Sequence, residues 1–364
     1  GEDLMRGGTI LAGLLLLGAA AAWVRPEHAD PGATARQAQE ALLRGGADGV
    51  REAVAGFEKA LRAEPASPYR WSDLGEACLE AGAQDKARYC FARAMERAPA
   101  SSLVLLRAAN FHFRAGESRH ALMTAVRVLA AVDRYDGLIF SSYAAMGGPL
   151  EEVLEYGVPP ERRAAEAWFR FVLRRGEAGD AEKTWRWLEA RGLAGDGVAS
   201  EYVEWLAARR RHQEAAELWA GHLGARRGKY LASEFLFNGD FESEPAGARF
   251  DWRLSPATGC ETQRLADAAA SGRHSLRIRF SGTENVGFRH VSQAAWLPAG
   301  AYRLAAKVRA EGITTDSGVA LRVVGAEAGR VEATTEAVTG WSGGWREVET
   351  TFRVGPAGRA VTVE

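Results

Sequence analysis

Residues 67–99 read SPYRWSDLGEACLEAGAQDKARYCFARAMERAP, and the order of small and bulky side chains along them sets the architecture. Small residues at Gly75, Ala87 and Ala94 let two antiparallel helices approach closely. Trp71, Leu74 and Phe91 are large enough to fill the gap to a neighbouring hairpin. Ser67 is a helix N-cap placed before Pro68, whose missing N–H costs nothing in a first turn. Gly82 sits where the first helix must stop and turn. Pro99 prevents the second helix from running on. The stretch therefore predicts two antiparallel helices joined by a tight turn.

The same pattern recurs on both sides at a spacing of 34 residues: Ala53, Ala87 and Ala121; Phe57 and Phe91; Pro65 and Pro99; Ser67 and Ser101; Gly82 and Gly116. The central unit, Trp71, Leu74, Gly75, Cys78, Ala87, Phe91 and Pro99, resembles the tetratricopeptide signature, with Cys78 where tyrosine is usual. The resemblance implies a solenoid of helical hairpins whose concave face receives a protein partner. In the first unit Gly45-Gly46 and Gly49 interrupt the pattern and leave its leading helix without support. Beyond Val132 the strict pattern fades while helical periodicity persists. It predicts helices over 161–175, 180–191, 198–210 and 213–223. Trp168, Phe169, Trp185, Trp187, Trp205 and Trp219 recur there, either as core between stacked hairpins or as the lining of a peptide groove.

At Phe235 the period drops from that of a helix to that of a strand. Leu276, Ile278 and Phe280 alternate with Arg277 and Arg279. Tyr302, Leu304, Ala306 and Val308 alternate with Arg303, Lys307 and Arg309. Val319, Leu321 and Val323 follow, and Val348, Phe352 and Val354 come near the end, with Thr350 breaking the apolar set. Each run reads as a half-buried strand, and many short strands between turns indicate an antiparallel β-sandwich.

Four phrases in this region carry a second resemblance. Phe237-Asn238-Gly239-Asp240-Phe241-Glu242, Ser275-Leu276-Arg277-Ile278, Leu297-Pro298-Ala299-Gly300-Ala301-Tyr302-Arg303-Leu304 and Trp345-Arg346-Glu347-Val348 follow the order of phrases in CenC-type carbohydrate-binding modules. That family implies a jelly roll that binds glycan. Members often hold a structural calcium, for which Asp240 and Glu242 would supply oxygens here; the closing acidic phrase that would complete the set is absent. The closing strand likewise reads as missing at Val361-Thr362-Val363-Glu364, which predicts an exposed sheet edge. Sugar binding needs flat aromatic faces and planar polar groups. Trp341, His290, Gln293, Trp252 and Phe288 are the candidates, with Trp296 and Trp345 also considered. Trp252 alternates with Phe250 and Leu254 and also reads as core, as does Trp345. Trp341 lies in a loop of small residues and is expected to be exposed.

Thr9 to Val24 is an unbroken apolar run between Arg6 and Arg25-Pro26, matching a signal-peptide core or a membrane anchor through residues 9–24. The residues ahead of Met5 do not read as a natural start, so the chain reads as cut at both ends. Lys+Arg 46 against Asp+Glu 47 gives a net charge of −1, with no basic field to hold nucleic acid. Cys78, Cys90 and Cys260 are too few for a disulfide framework or a zinc cage. Cys78 and Cys90 fall on the two helices of one hairpin, where they form a bridge or serve as small buried hydrophobes. The histidines show no metal spacing; His112 and His120 straddle a helix turn and read as solvated. No nucleophile elbow, zinc-protease or phosphate-loop motif is present.

The expected organisation is a signal or anchor segment with its linker (1–32), a TPR-like α-solenoid (33–234) and a β-sandwich (235–364). The expected protein is a non-enzymatic bacterial scaffold at the inner membrane facing the periplasm, or exported. It requires no cofactor apart from a structural calcium. It would bind a protein through the helices and polysaccharide through the sandwich, in polysaccharide assembly or export. Two alternatives stand beside it: a pure protein–protein assembly factor, and an accessory fragment of a larger carbohydrate-active enzyme.

Overall fold

In the computed structural model, the described residues are 30–266, 268–284, 286–326 and 329–364. The apolar run Thr9–Val24 lies outside them. Among the described residues no helix is long and apolar enough to cross a membrane. The chain divides into two compact units between Val172 and Leu173.

The first unit is a series of helical hairpins: α1 (Pro31–Arg44), α2 (Gly46–Ala63), α3 (Pro68–Glu80), α4 (Gln84–Arg97), α5 (Ser102–Arg114), α6 (Ser118–Ala131) and α7 (Asp136–Met146). A helical stretch Leu150–Glu152, continuing as a π-helical turn Val153–Gly157, follows. The division falls within α8 (Arg162–Arg175). The caps recur with the sequence period. Ser67 accepts from the Arg70 N–H and Ser101 from the Val104 N–H, each at 3.4 Å. Gly82 and Gly116 close the first helices with φ of +75° and +72°.

The spacing of small and large residues does what close packing requires. A Cβ on Gly75 would lie 2.9 Å from the Phe91 ring, so α3 and α4 meet where one of them has no side chain. Phe91 stacks on Phe111 of the next hairpin at 5.1 Å between centroids. Arg107 joins α5 to α3 through Asp73 at 2.9 Å and Glu76 at 2.6 Å. One expectation is corrected: the leading helix of the first unit forms. Gly49 lies inside α2 and is buried, and a Cβ there would meet the Ala41 carbonyl at 2.6 Å. The glycine that interrupts the sequence pattern permits the closest helix contact of the hairpin.

The second unit carries α9 (Ala178–Ala190), α10 (Asp196–Ala208) and α11 (His212–Leu223), followed by a short 3₁₀ turn Gly224–Arg227. Antiparallel β-sheets follow. Strands β1 (Arg253–Leu254), β4 (Val291–Leu297), β9 (Arg359–Val363), β6 (Arg322–Gly325) and β7 (Val331–Thr334) form one sheet in that order. Strands β2 (Cys260–Leu265) and β3 (Ser275–Phe280) pair with each other, as do β5 (Gly300–Val308) and β8 (Arg346–Val354). Ala295, Leu297, Val323, Val361 and Val363 of the large sheet share a buried cluster with Leu304 and Val354 of the β5–β8 pair. Alternation along the strands supplies that apolar layer.

Val361-Thr362-Val363 lie in β9, which pairs with β4 on one side and β6 on the other. One sequence reading is corrected here. Val319 lies outside β6 and is held only by a bridge to Val338. Within this unit the helices also contact the sheet region. Glu204 of α10 accepts from Arg249 at 2.8 Å and also pairs with Arg253, and His212 stacks on Trp296.

Candidate functional site: the exposed face of the helical hairpins

In the first unit, α3 packs directly on α5, whereas the second helices α4 and α6 approach each other less. The first helices are thus the more tightly spaced layer, which is the inner side of a curved array. Large apolar side chains stand exposed on this layer. Tyr69 is 47% exposed and Leu103 43%, and each is the second residue of its helix. Their separation equals the 34-residue period. Leu138, close to the start of α7, is 58% exposed. A Tyr or Leu in the first turn of a helix needs no exposure for its own unit, because the core is filled by Leu74, Phe91, Leu105 and Phe111.

Behind these residues lies a belt of paired charges. Arg70 bonds Glu64 at 2.7 Å, Arg107 links Asp73 and Glu76, and Arg114 reaches Glu80 at 2.7 Å. Arg70 and Arg107 each commit two of their five N–H donors to carboxylates. The belt ties one hairpin to the next and pairs its charges within the protein. A partner would therefore be held by apolar contact more than by charge.

A second exposed pair, Tyr89 and Met123 on α4 and α6, has the same spacing. Tyr89 already serves its own hairpin by lying edge-on against Trp71 at 5.8 Å.

His112 corrects the expectation of a solvated histidine. It is 8% exposed, contacts the rings of Phe111 and His120, and its Nδ1 is 2.6 Å from Glu117. Glu117 also accepts from Arg88. Burial lowers the His112 pKa below its ordinary 6.5 despite the carboxylate beside it. For Glu117, burial acts upward, but the bonds from Arg88 and His112 outweigh it and the net shift is downward. The unfolded chain therefore binds a proton at His112 more readily than the folded one. Stability is fully present above pH 6.5 and falls as acid takes the pH through that value toward the folded pKa. Urea midpoints at about pH 7.5 and about pH 5.5 should fall in the wild type, and should fall less in His112→Gln. Equal falls in the two proteins would reject this origin.

Of the aromatic residues of the later helices, Trp168, Phe169, Trp185 and Trp219 are buried core, whereas Trp187 and Trp205 are half-buried. Trp205 donates its Nε1–H to the Leu173 carbonyl at 2.9 Å and carries Arg209 over its ring.

The glycan candidates of the β region separate into distinct environments. Trp252 is buried, donates to the Asn238 carbonyl at 2.9 Å and stacks on Phe241. Gln293 is 1% exposed and donates to the Phe237 carbonyl at 2.8 Å. Neither presents a face to a ligand. Inward alternation on strand β4 buries Gln293, and the Asn238–Ser243 turn covers Trp252. Phe288 and His290 are half-buried and lie against each other, with Phe288 edge-on to Phe280. Trp341 is 70% exposed. Trp345, expected in the core, is 37% exposed and lies near Arg309. Trp296 is half-buried against His212. The five candidates do not converge on one surface by any contact between them beyond the Phe288–His290 pair.

Glu242 is committed to a turn. Its carboxylate accepts from the backbone N–H of Arg273 and His274 at 2.6 and 2.9 Å and from His274 Nδ1 at 2.9 Å. Those bonds hold its pKa down, at about 2. Asp240 accepts from the Glu242 N–H. Among the described residues no group of three or more acidic, histidine or cysteine side chains is placed to hold a metal ion. These two residues therefore act as a local brace for the opening loop.

No described protein family matches this chain, and no curated protein matches it. Among solved structures the chain is similar to MamA from Desulfovibrio magneticus RS-1, with 15% identity, 55% of this chain and 97% of that one covered, and a TM-score of 0.26. It is also similar to PilF of Pseudomonas aeruginosa, with 14% identity, 56% of this chain and 93% of that one covered, and a TM-score of 0.31. The TPR-like character of the helical array rests on its own 34-residue spacing, recurring caps and small-against-large packing.

Proposed function

We propose that this protein is a non-catalytic scaffold that binds a polypeptide partner along the inner face of its helical hairpins. The observation that carries this reading is the exposed apolar stripe Tyr69, Leu103 and Leu138, with Tyr69 and Leu103 one structural period apart. An extended or helical peptide with apolar side chains would meet one anchor per hairpin. The test uses peptides selected from a displayed library against the full chain. Tyr69→Ser with Leu103→Ser is expected to weaken the selected peptide at least ~30-fold, equivalent to about 2 kcal/mol. The far-UV circular dichroism should stay unchanged. Unaltered affinity in that variant, with loss in Tyr89→Ser plus Met123→Ser, would move the site to the outer helices.

A second reading concerns residues 235–364, which we take as a carbohydrate-binding-module-like jelly roll of an envelope protein anchored through residues 9–24. Its support is Trp341, a large flat ring 70% exposed. Trp341→Ala is expected to abolish retention of the full chain on a glycan array. No retention of the unaltered protein on any glycan would remove this part and leave the assembly-factor reading.

A further inference from the structure

The central hairpin holds a pair of thiols that the scaffold reading does not use. Cys78 belongs to α3 and Cys90 to α4, and each is 1% exposed. The helix register brings them together. Gly75 opposes Phe91 across the interface, so Cys78, one turn further along α3, opposes the turn of α4 that contains Ala87 and Cys90. Both belong to the same buried cluster, and the two side chains interact with each other. Neither is bonded to another cysteine. Lys86, one turn before Cys90, places its ammonium in the field of both thiols while pairing with Glu58 at 2.5 Å.

A buried cysteine is ordinarily inert, because an apolar setting disfavours the thiolate. This pair departs from that rule. The bond from Cys90 acts first to favour the Cys78 thiolate, and Lys86 adds to it against the effect of burial. Cys90 is correspondingly driven upward. Either sulfur can attack first once the hairpin opens; with Cys78 attacking, Cys90 resolves.

We propose that Cys78 and Cys90 are an oxidative cross-linking site that reacts with a small-molecule disulfide to close an intramolecular disulfide across the α3–α4 hairpin. In the first step the Cys78 thiolate attacks one sulfur of the oxidant. The oxidant's S–S bond breaks, and its other half leaves as a thiolate that takes up the proton Cys78 gave up. In the second step Cys90 loses its proton and its sulfur attacks Cys78 Sγ. The bond between Cys78 and the oxidant fragment breaks, and the second thiolate leaves and is protonated. One small disulfide is reduced to two thiols, and two cysteines are oxidised to one cystine. Entry requires a local opening of the hairpin, because both sulfurs are covered. The product closes a short loop around the Gly82 turn and pins the unit in the middle of the array.

The test treats the full-length chain with oxidised glutathione, denatures it in alkylating reagent without reductant, and maps the cysteines by peptide mass spectrometry. The expected product is a Cys78–Cys90 linked peptide two hydrogens lighter than the sum of its parts, with Cys260 alkylated. The thermal midpoint of the oxidised chain should rise by roughly 5–10 °C, reversibly with reductant. In Cys90→Ala a glutathione adduct should persist on Cys78, because nothing resolves it. Full alkylation of both cysteines in the wild type after treatment would overturn the proposal. So would a stable glutathione adduct on Cys78 in the wild type, or linkage of either residue to Cys260 or to a second chain. The wild-type experiment stands by itself if the alanine variant does not fold.

Discussion

Phe91→Ala is expected to cost the helical array about 3–5 kcal/mol. Phe91 is 1% exposed and is bounded by Gly75 on its own hairpin and by Phe111 on the next. Truncation removes the transfer free energy of a buried ring, leaves a cavity, and deletes a stacked aromatic pair that adds about 0.5–1.5 kcal/mol. The surroundings cannot collapse to compensate, because the atom facing the ring on α3 is a glycine Cα and the helices are already in contact there. Urea unfolding should show a lower midpoint with an unchanged slope. Gly75→Ala gives a companion result. It should destabilise the wild type by about 1–3 kcal/mol through overpacking, and much less when Phe91 is leucine. A loss under about 1 kcal/mol for Phe91→Ala would mean the two hairpins are not packed through this ring.

In the β region the largest single effect is expected at Gly358, in the turn that leads into β9. Its φ is +67°, and a Cβ there would lie 2.5 Å from Trp296 Cζ2 and 3.1 Å from the Leu297 carbonyl. Alanine therefore meets two penalties. The left-handed backbone costs roughly 1–2 kcal/mol and the clash roughly 1–3 kcal/mol, for a total of about 2–4 kcal/mol. A Trp296→Ala background removes the ring's share of the clash, leaving the backbone cost and the Leu297 carbonyl contact. Guanidinium unfolding followed by tryptophan fluorescence would read both. An equal loss with and without the Trp296 ring would show that the ring contributes nothing to the effect.

The helical half is legible in the sequence because helix packing restricts residue size at fixed positions. Gly75, Ala87 and Phe91 fit one another only at that spacing, so the spacing reveals the hairpin. Gly49 shows the limit of such reading. In a sequence a glycine reads as a breaker, and only the position of Ala41 on the facing helix shows that it is a contact point. His112 is misread for a related reason: its burial depends on Glu117, which follows the turn and closes over it. The exposed stripe is missed because Tyr69 and Leu103 match no signature residue. Their one sequence-level signal is that both are second residues of first helices, one period apart. In the β region strand alternation is plain in β3, β5 and β8. It does not say which inward residue faces core and which faces a cleft. Gln293 reads as a ligand contact and Trp252 as either a ligand contact or core, and both donate to backbone carbonyls.

The central claim is that a polypeptide lies along the layer of first helices. A photo-activatable phenylalanine analogue placed at Leu103, and separately at Met123 and Trp341, tests it in living cells of the source organism. The account predicts a protease-sensitive adduct of discrete mass from position 103, lost when Tyr69 is also changed to serine, and no such adduct from position 123. Adducts from position 123 or 341 with none from 103 would contradict it.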